Sequence, residues 1–265
     1  MLLTLNHDRL KHLLEKPFPD LSPEKLYRRD TVFFIGGNLP VYETLETMYE
    51  SYCLESTDLF HVTFADREDL ERNLEMVRQI KKNFTVRLMG RINFEIPVPL
   101  LEHTYLAGLD LLDIPDAGPH DGNGDRENRV LYFRSAAGAF PRWSIVSSLG
   151  LGIMTADELR DTTDGLLALG IVPLPVIDDS AAGLGLQEVA AALKYVSSAW
   201  RRHDVPIRRL LPLVRLVSPL DLPETSGFIR TVINRIQDRH LLATSDLRRH
   251  LRTSGAEASF ESAGL

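Results

Sequence analysis

The residues best able to do chemistry in this 265-residue chain stand at the ends of short apolar runs. Gly36, Gly37 and Asn38 follow the run Thr31 to Ile35. Two glycines let a backbone approach a ligand, and their N–H groups suit an anion; the same pair also serves a tight turn. His61 and Thr63 alternate with Phe60, Val62 and Phe64, so both fall on one face of a strand. An imidazole there is a base, a metal ligand, or a core histidine with its hydrogen bonds met. Arg87 sits inside the next apolar run, with Arg91 and Asn93 beyond it. A guanidinium in a buried strand needs an anionic partner, because an unpaired buried charge is costly. Asp110 or Asp113 could supply it, and so could a carboxylate or phosphate ligand.

Further along, Asp113, Asp116, His120, Asp121 and Asp125 crowd one segment. Carboxylates and imidazole suit a divalent cation, but their spacing matches no helical metal motif and equally describes a solvated loop. Ser144, Ser147 and Ser148 lie along a later run with no base at fixed spacing and no Gly-x-Ser-x-Gly elbow. Asp178 and Asp179 close the last run, placed to cap a helix or to accept from ligand hydroxyls. Of these, Gly36, Gly37, Asn38, His61, Thr63, Arg87, Arg91, Asn93, Asp113, Asp116, Ser144, Ser147 and Asp178 are the candidates for ligand binding; none is singled out as catalytic and no metal site is assigned.

The elements that must position them alternate regularly. A leader helix carries Leu10, Leu13 and Leu14 on one face and ends at Pro17-Phe18-Pro19. Ser22-Pro23-Glu24 reads as a second helix start. Strands are expected at 31–35, 59–64, 84–89, 109–114, 144–149 and 171–177. Helices fall between them, over 41–52, from Asp66 through Ile80, up to Gly108, over 127–139, and from Thr155 to Gly170. Thr155 and Glu158 form a capping box. Helices then cover 186–202 and a stretch with Phe228, Val232, Ile233 and Ile236 on one face.

Six strands alternating with helices imply parallel pairing through right-handed crossovers. No Gly-rich dinucleotide fingerprint follows the first strand, which favours a barrel over a doubly wound sheet. The expected fold is α/β, a partial (β/α) TIM-type barrel of six parallel strands with a leader helix and C-terminal helices. The domain reading is a leader over 1–30, the barrel with its C-terminal helices over 31–253, and a disordered tail over 254–265. The carboxyl ends of barrel strands carry the ligands in such folds, and that rule ranks the polar residues above.

Composition excludes some classes. Hydrophobic residues make up 44 % and charged residues 25 %, as expected of a chain with a packed core. The net charge of -7 argues against nucleic-acid binding, and the arginines at 201, 202, 208, 209, 248, 249 and 252 read as solvated helix faces. Cys53 is the one cysteine, so no internal disulfide forms and a reducing cytoplasm fits. No apolar stretch is long enough to span a membrane, and the N-terminus lacks the features of a signal peptide.

Several of these features resemble the radical S-adenosylmethionine enzymes of the biotin-synthase-like branch. The leader before the first strand and the six βα units are similar. So are residues 168–177, ALGIVPLPVI, and residues 144–159, SIVSSLGLGIMTADEL. In that family the second segment lies near the adenine of the cofactor. The resemblance covers about residues 8–180 and implies a site for S-adenosylmethionine. The family's CxxxCxxC motif, which holds a four-iron cluster, is missing: residues 36–53 read GGNLPVYETLETMYESYC. Neither Asn38 nor Glu43 replaces a thiolate, so no iron–sulfur cluster is expected.

Two functions follow as expectations. One is a radical-SAM-like barrel without its cluster, acting as a non-redox small-molecule-binding or accessory subunit with a protein partner or a second copy. The alternative is a metal- or acid/base-dependent barrel enzyme, a lyase or aldolase acting on a small anionic substrate. There Arg87 or Arg91 would hold the anion, and His61 or an aspartate would move the proton. No lysine lies inside a strand, which disfavours a Schiff base.

Overall fold

A computed structural model describes residues 3–19, 21, 24–54, 57–116, 123–181 and 183–221, with the side chains of 52–54 and 123–127 left out. The C-terminal helix expected around Phe228 to Ile236 and the tail over 254–265 lie outside the described residues.

Short apolar runs rich in β-branched and aromatic residues become the strands. These are β1 (Thr4–Leu5), β2 (Tyr27–Arg29), β3 (Val32–Ile35), β4 (Leu59–Phe64), β5 (Arg87–Ile92), β6 (Leu111–Asp113), β7 (Ile145–Gly150), β8 (Val172–Val176) and β9 (Leu220–Asp221). The helices are α1 (His7–Glu15), α2 (Val41–Leu54), α3 (Leu70–Asn83), α4 (Val98–Ala107), α5 (Asn123–Ala139), α6 (Ala156–Ala168), α7 (Leu186–Arg202) and α8 (Leu211–Val217).

The main sheet has the spatial order β2-β3-β4-β5-β6-β7-β8, and every pair from β3 to β8 is parallel. Strand order therefore follows chain order without the reversal of a doubly wound sheet, and the sheet curls into a half-barrel. Every residue of β3, β4, β6, β7 and β8 is buried, as parallel strands covered on both faces require.

Alternation divides the sheet into two faces. Phe33 and Phe60 meet edge-to-face at 5.3 Å, and Phe60 meets Phe84 at the end of α3, so this face packs on the helices. Phe34, His61, Met89 and Leu111 stand side by side in register on the other, inner face, and so do Thr63, Arg91 and Asp113.

The leader closes the open seam. The Phe18 N–H donates to the carbonyl of Ile177, just past β8, at 3.2 Å. The Phe18 ring packs 5.7 Å from Phe34 of β3 and lies beneath the Arg29 guanidinium of β2. One residue thus touches both ends of the sheet. The Ile177 N–H donates in turn to Val217 at the end of α8.

Three expectations need correction. A helix starting at Ser22 does not continue through Tyr27–Arg29: that segment is β2, turned onto β3 through Asp30, whose φ of 50° is left-handed. The third parallel strand is Arg87–Ile92 rather than 84–89, because Phe84 joins the helix-side aromatic cluster. Helix α3 starts at Leu70, and Asp66 holds the preceding turn by accepting from the Asp69 N–H at 2.8 Å.

Candidate functional site

A cleft of about 410 Å³ opens at the carboxyl ends of β5 to β8. Arg91 forms part of its floor. Pro115, Asp116, Ser148 and Gly150 line one side, and Val176, Asp178, Asp179 and Ser180 line another. Phe18, Pro19 and Leu21 of the leader, with Ile153, complete the wall.

The floor is set by an inner-face network. The Arg91 Nη1 donates to the Asp113 carboxylate and, at 3.1 Å, to the Ser148 hydroxyl. The Ser148 hydroxyl donates to Asp113 Oδ2 at 2.7 Å, and its backbone N–H to Oδ1 at 3.1 Å. Asp113 is fully buried and the Arg91 side chain is 12 % exposed. The register makes this possible: Arg91 and Asp113 are direct partners across β5 and β6, and Ser148 lies on the same face one strand further on.

The walls are held by turns that need glycine. Gly152 lies so close to the next loop that an added Cβ would stand 1.7 Å from the Ser180 carbonyl oxygen. The Asp178 carboxylate accepts from the Ser180 N–H at 3.0 Å and from its hydroxyl, fixing the turn before α7. Across the cleft, the Arg129 guanidinium of α5 donates to the carbonyl of Pro115 and stacks on Phe133, pinning the chain next to Asp116. The Asp116 N–H donates to Ser148 at 3.1 Å, extending the sheet by one bridge.

Deeper on the same face lies His61, fully buried and with its ring 5.2 Å from Phe34. Neither ring nitrogen has a hydrogen-bond partner among the described residues, and neither does the buried Thr63 hydroxyl. Burial, reinforced by the charge of Arg91, pushes the His61 pKa down to about 3, so the ring is neutral.

The structure brings Arg91, Asp113, Asp116 and Asp178 together; Thr63 stands beside Arg91 in register and His61 two residues deeper on the same face, and neither lines the cleft. Other candidates fall elsewhere. Arg87 lies at the opposite end of β5, where it donates to the carbonyl of Arg209 at 3.3 Å instead of taking Asp113. Asp110 accepts from Lys81 at 3.0 Å and from the Leu88 N–H. Ser144 precedes β7 at its amino end, and Ser147 projects to the helix side. Asn93 is exposed in the turn after β5, and Asn38 is exposed in a left-handed turn with φ of 65°. His120 and Asp121, and the Asp125 side chain, lie outside the described residues.

Gly36 and Gly37 do not open onto a cradle. A Cβ on Gly36 would stand 2.4 Å from the Glu24 backbone, and one on Gly37 2.5 Å from the Ala65 Cβ. These glycines let the chain pack on itself. Sequence reading did not single out Phe18, Leu21, Ser180 or Ile153. The signals were there in the prolines flanking Phe18 and in the Gly150-x-Gly152 spacing.

No family model and no curated protein sequence matches this chain. Among solved structures it is similar to QR15, described as an aldolase, at 11 % identity and a TM-score of 0.47 over 72 % of this chain and 87 % of that one. It is similar to a putative deoxyribose-phosphate aldolase from Coccidioides immitis at 13 % identity and a TM-score of 0.45, over 81 % and 92 %. A 7,8-dihydropteroate synthase from Vibrio fischeri follows at 10 % and 0.36, over 73 % and 90 %. None of these likenesses is close enough to bear on what the chain does.

The resemblance to radical S-adenosylmethionine enzymes is corrected by these results. No family model supports the kinship, and the solved structures named above are described as aldolases and a dihydropteroate synthase, not as radical S-adenosylmethionine enzymes. The position after the first strand, where a cluster would sit, is covered by the chain's own Glu24 and Lys25. No described helix is long and apolar enough to cross a membrane.

Proposed function

We propose that this chain is a barrel enzyme of the acid/base lyase or aldolase type, acting on a small polar molecule in the cleft over Arg91. One observation carries the reading: a guanidinium locked by Asp113 and Ser148 faces carboxylates from two other loops across a cleft on the ligand-bearing end of the sheet. A fixed cation beside a carboxylate is the arrangement that polarises a carbonyl while a neighbouring base takes the adjacent proton.

Asp116 is the assigned base. It follows β6 by three residues, and its backbone is fixed by its N–H bond to the Ser148 carbonyl, in the bridge to Leu149, and by the Arg129 hold on Pro115. No lysine lines the cleft among the described residues, so the carbonyl is activated by Arg91 rather than by a Schiff base. Among the described residues no three histidine, cysteine, aspartate or glutamate side chains come together as metal donors. Acid/base chemistry asks only for the groups just named.

The test is solvent exchange. The full chain is incubated in deuterium oxide with hydroxyketones, aldehydes and hydroxy acids, and proton NMR follows deuterium entering next to the carbonyl. The reading expects exchange or carbon–carbon cleavage in at least one compound, lost in Asp116→Asn with binding retained. Compounds that bind in the cleft yet show neither exchange nor cleavage would contradict it.

A further inference from the structure

We infer that His61 and Thr63 form an inner subsite of the cleft for an uncharged oxygen, and that the substrate is a neutral polyhydroxylated carbonyl compound. This rests on the reading of the cleft as a small-molecule site and names its substrate class.

Three observations carry it. First, Thr63 is the direct register partner of Arg91, which lines the cleft, and both belong to the inner face. His61 is two residues deeper on that face. Second, both side chains are almost wholly buried, and neither the imidazole nitrogens nor the hydroxyl has a partner among the described residues. Buried polar groups are rarely left this way, because each costs the desolvation of a donor or acceptor. A hydroxyl or carbonyl of a ligand supplies the missing partner.

Third, the charges around the subsite select against ions. A neutral imidazole offers one donor and one acceptor, and a threonine hydroxyl does the same. Neither neutralises a charge. The one cation of the described cleft lining, Arg91, already faces the fully buried Asp113. Three aspartates, Asp116, Asp178 and Asp179, line the rim, and they are acceptors. An anionic substrate, the class expected from sequence, would meet this acidic rim. A molecule bearing several hydroxyls can donate to the aspartates while placing its own oxygen between His61 and Thr63.

The experiment uses the full chain labelled with nitrogen-15 at histidine. The imidazole signals of His61, assigned by their loss in His61→Gln, are followed while dihydroxyacetone is added, and in parallel glycerate. Dihydroxyacetone is expected to shift the His61 ring signals saturably, and glycerate to leave them in place. Thr63→Val, which keeps the side-chain shape, is expected to weaken dihydroxyacetone binding by up to about tenfold without altering the backbone spectrum.

Glycerate binding as tightly as dihydroxyacetone would overturn the substrate class. Dihydroxyacetone shifting the Ser148 and Gly150 amides but not the His61 ring would overturn the subsite and leave the cleft standing. A His61 ring hydrogen-bonded to a water that no probe displaces would overturn it too. Silence at both the ring and the cleft amides, for every probe, would instead count against the cleft reading itself.

Discussion

Arg91 and Asp113 are neighbours across two parallel strands, and their ion pair is buried beneath the cleft with the Ser148 hydroxyl bonded to both. Removing one partner leaves the other charge in a low-dielectric floor, which costs far more than a surface pair. Asp113→Leu and Arg91→Met are each expected to lower stability by about 3 kcal/mol, and the two combined to recover much of the loss. Urea denaturation of the two single variants and the double variant gives the coupling. Additive losses would mean that the pair is not coupled.

His61 makes stability depend on pH in a definite direction. Its pKa is near 6.5 in an unfolded chain and is pushed down to about 3 in the fold, mainly by burial and then by Arg91. Between those values the unfolded chain holds a proton that the folded chain does not. The histidine contribution is therefore intact above pH 6.5 and is lost as the pH falls toward 3, by up to about 1.4 kcal/mol per pH unit. In His61→Leu this slope should vanish. Comparing denaturation midpoints of the two proteins at about pH 7 and about pH 5 isolates it from the carboxylates, which titrate lower. Parallel midpoint shifts in both proteins would show that His61 is not the source.

Two glycines should respond oppositely to alanine. Gly152→Ala drives a methyl into the Ser180 carbonyl and must displace the turn that Asp178 holds. A loss of about 1–3 kcal/mol is expected, with the cleft-wall amides shifted. Gly165 lies inside α6 with open space at its Cβ position. Gly165→Ala should raise stability by about 0.5–1 kcal/mol and leave the cleft spectrum unchanged.

Phe18→Ala tests whether the leader closes the seam. The ring lost is 3 % exposed and lies against Phe34 and Arg29, so the expected cost is about 3 kcal/mol. Hydrogen exchange should quicken at Ile177 and along β3. Loosening confined to the first residues of the chain would mean that the leader merely rests on the sheet.

The parallel strands were legible because burial on both faces demands continuous apolar runs, and TVFFI, LFHVTF and IVPLPVI are such runs. The Thr155 and Glu158 capping box was legible for a local reason too, and both of its bonds form. Strand β2 was not, because Tyr27-Arg28-Arg29 carries no apolar pattern and gains its pairing from a left-handed turn at Asp30. The frame of β5 slipped by three residues because two arginines interrupt its hydropathy while Phe84 extends the apparent run. That slip put Arg91 beyond the strand, when its place within β5 is what sets it opposite Asp113. The bond from Phe18 to Ile177 joins residues far apart in sequence, and no local pattern announces it.

Backbone amide mapping of the full chain with dihydroxyacetone tests the central claim most directly, because it asks where a small molecule binds without presuming a reaction. Saturable shifts are expected on Arg91, Ser148, Gly150, Ile153 and Asp179, lost in Arg91→Leu. Saturable shifts at the amino ends of the strands, around Arg87 and Ser144, or an unchanged response in Arg91→Leu, would contradict the assignment of the cleft.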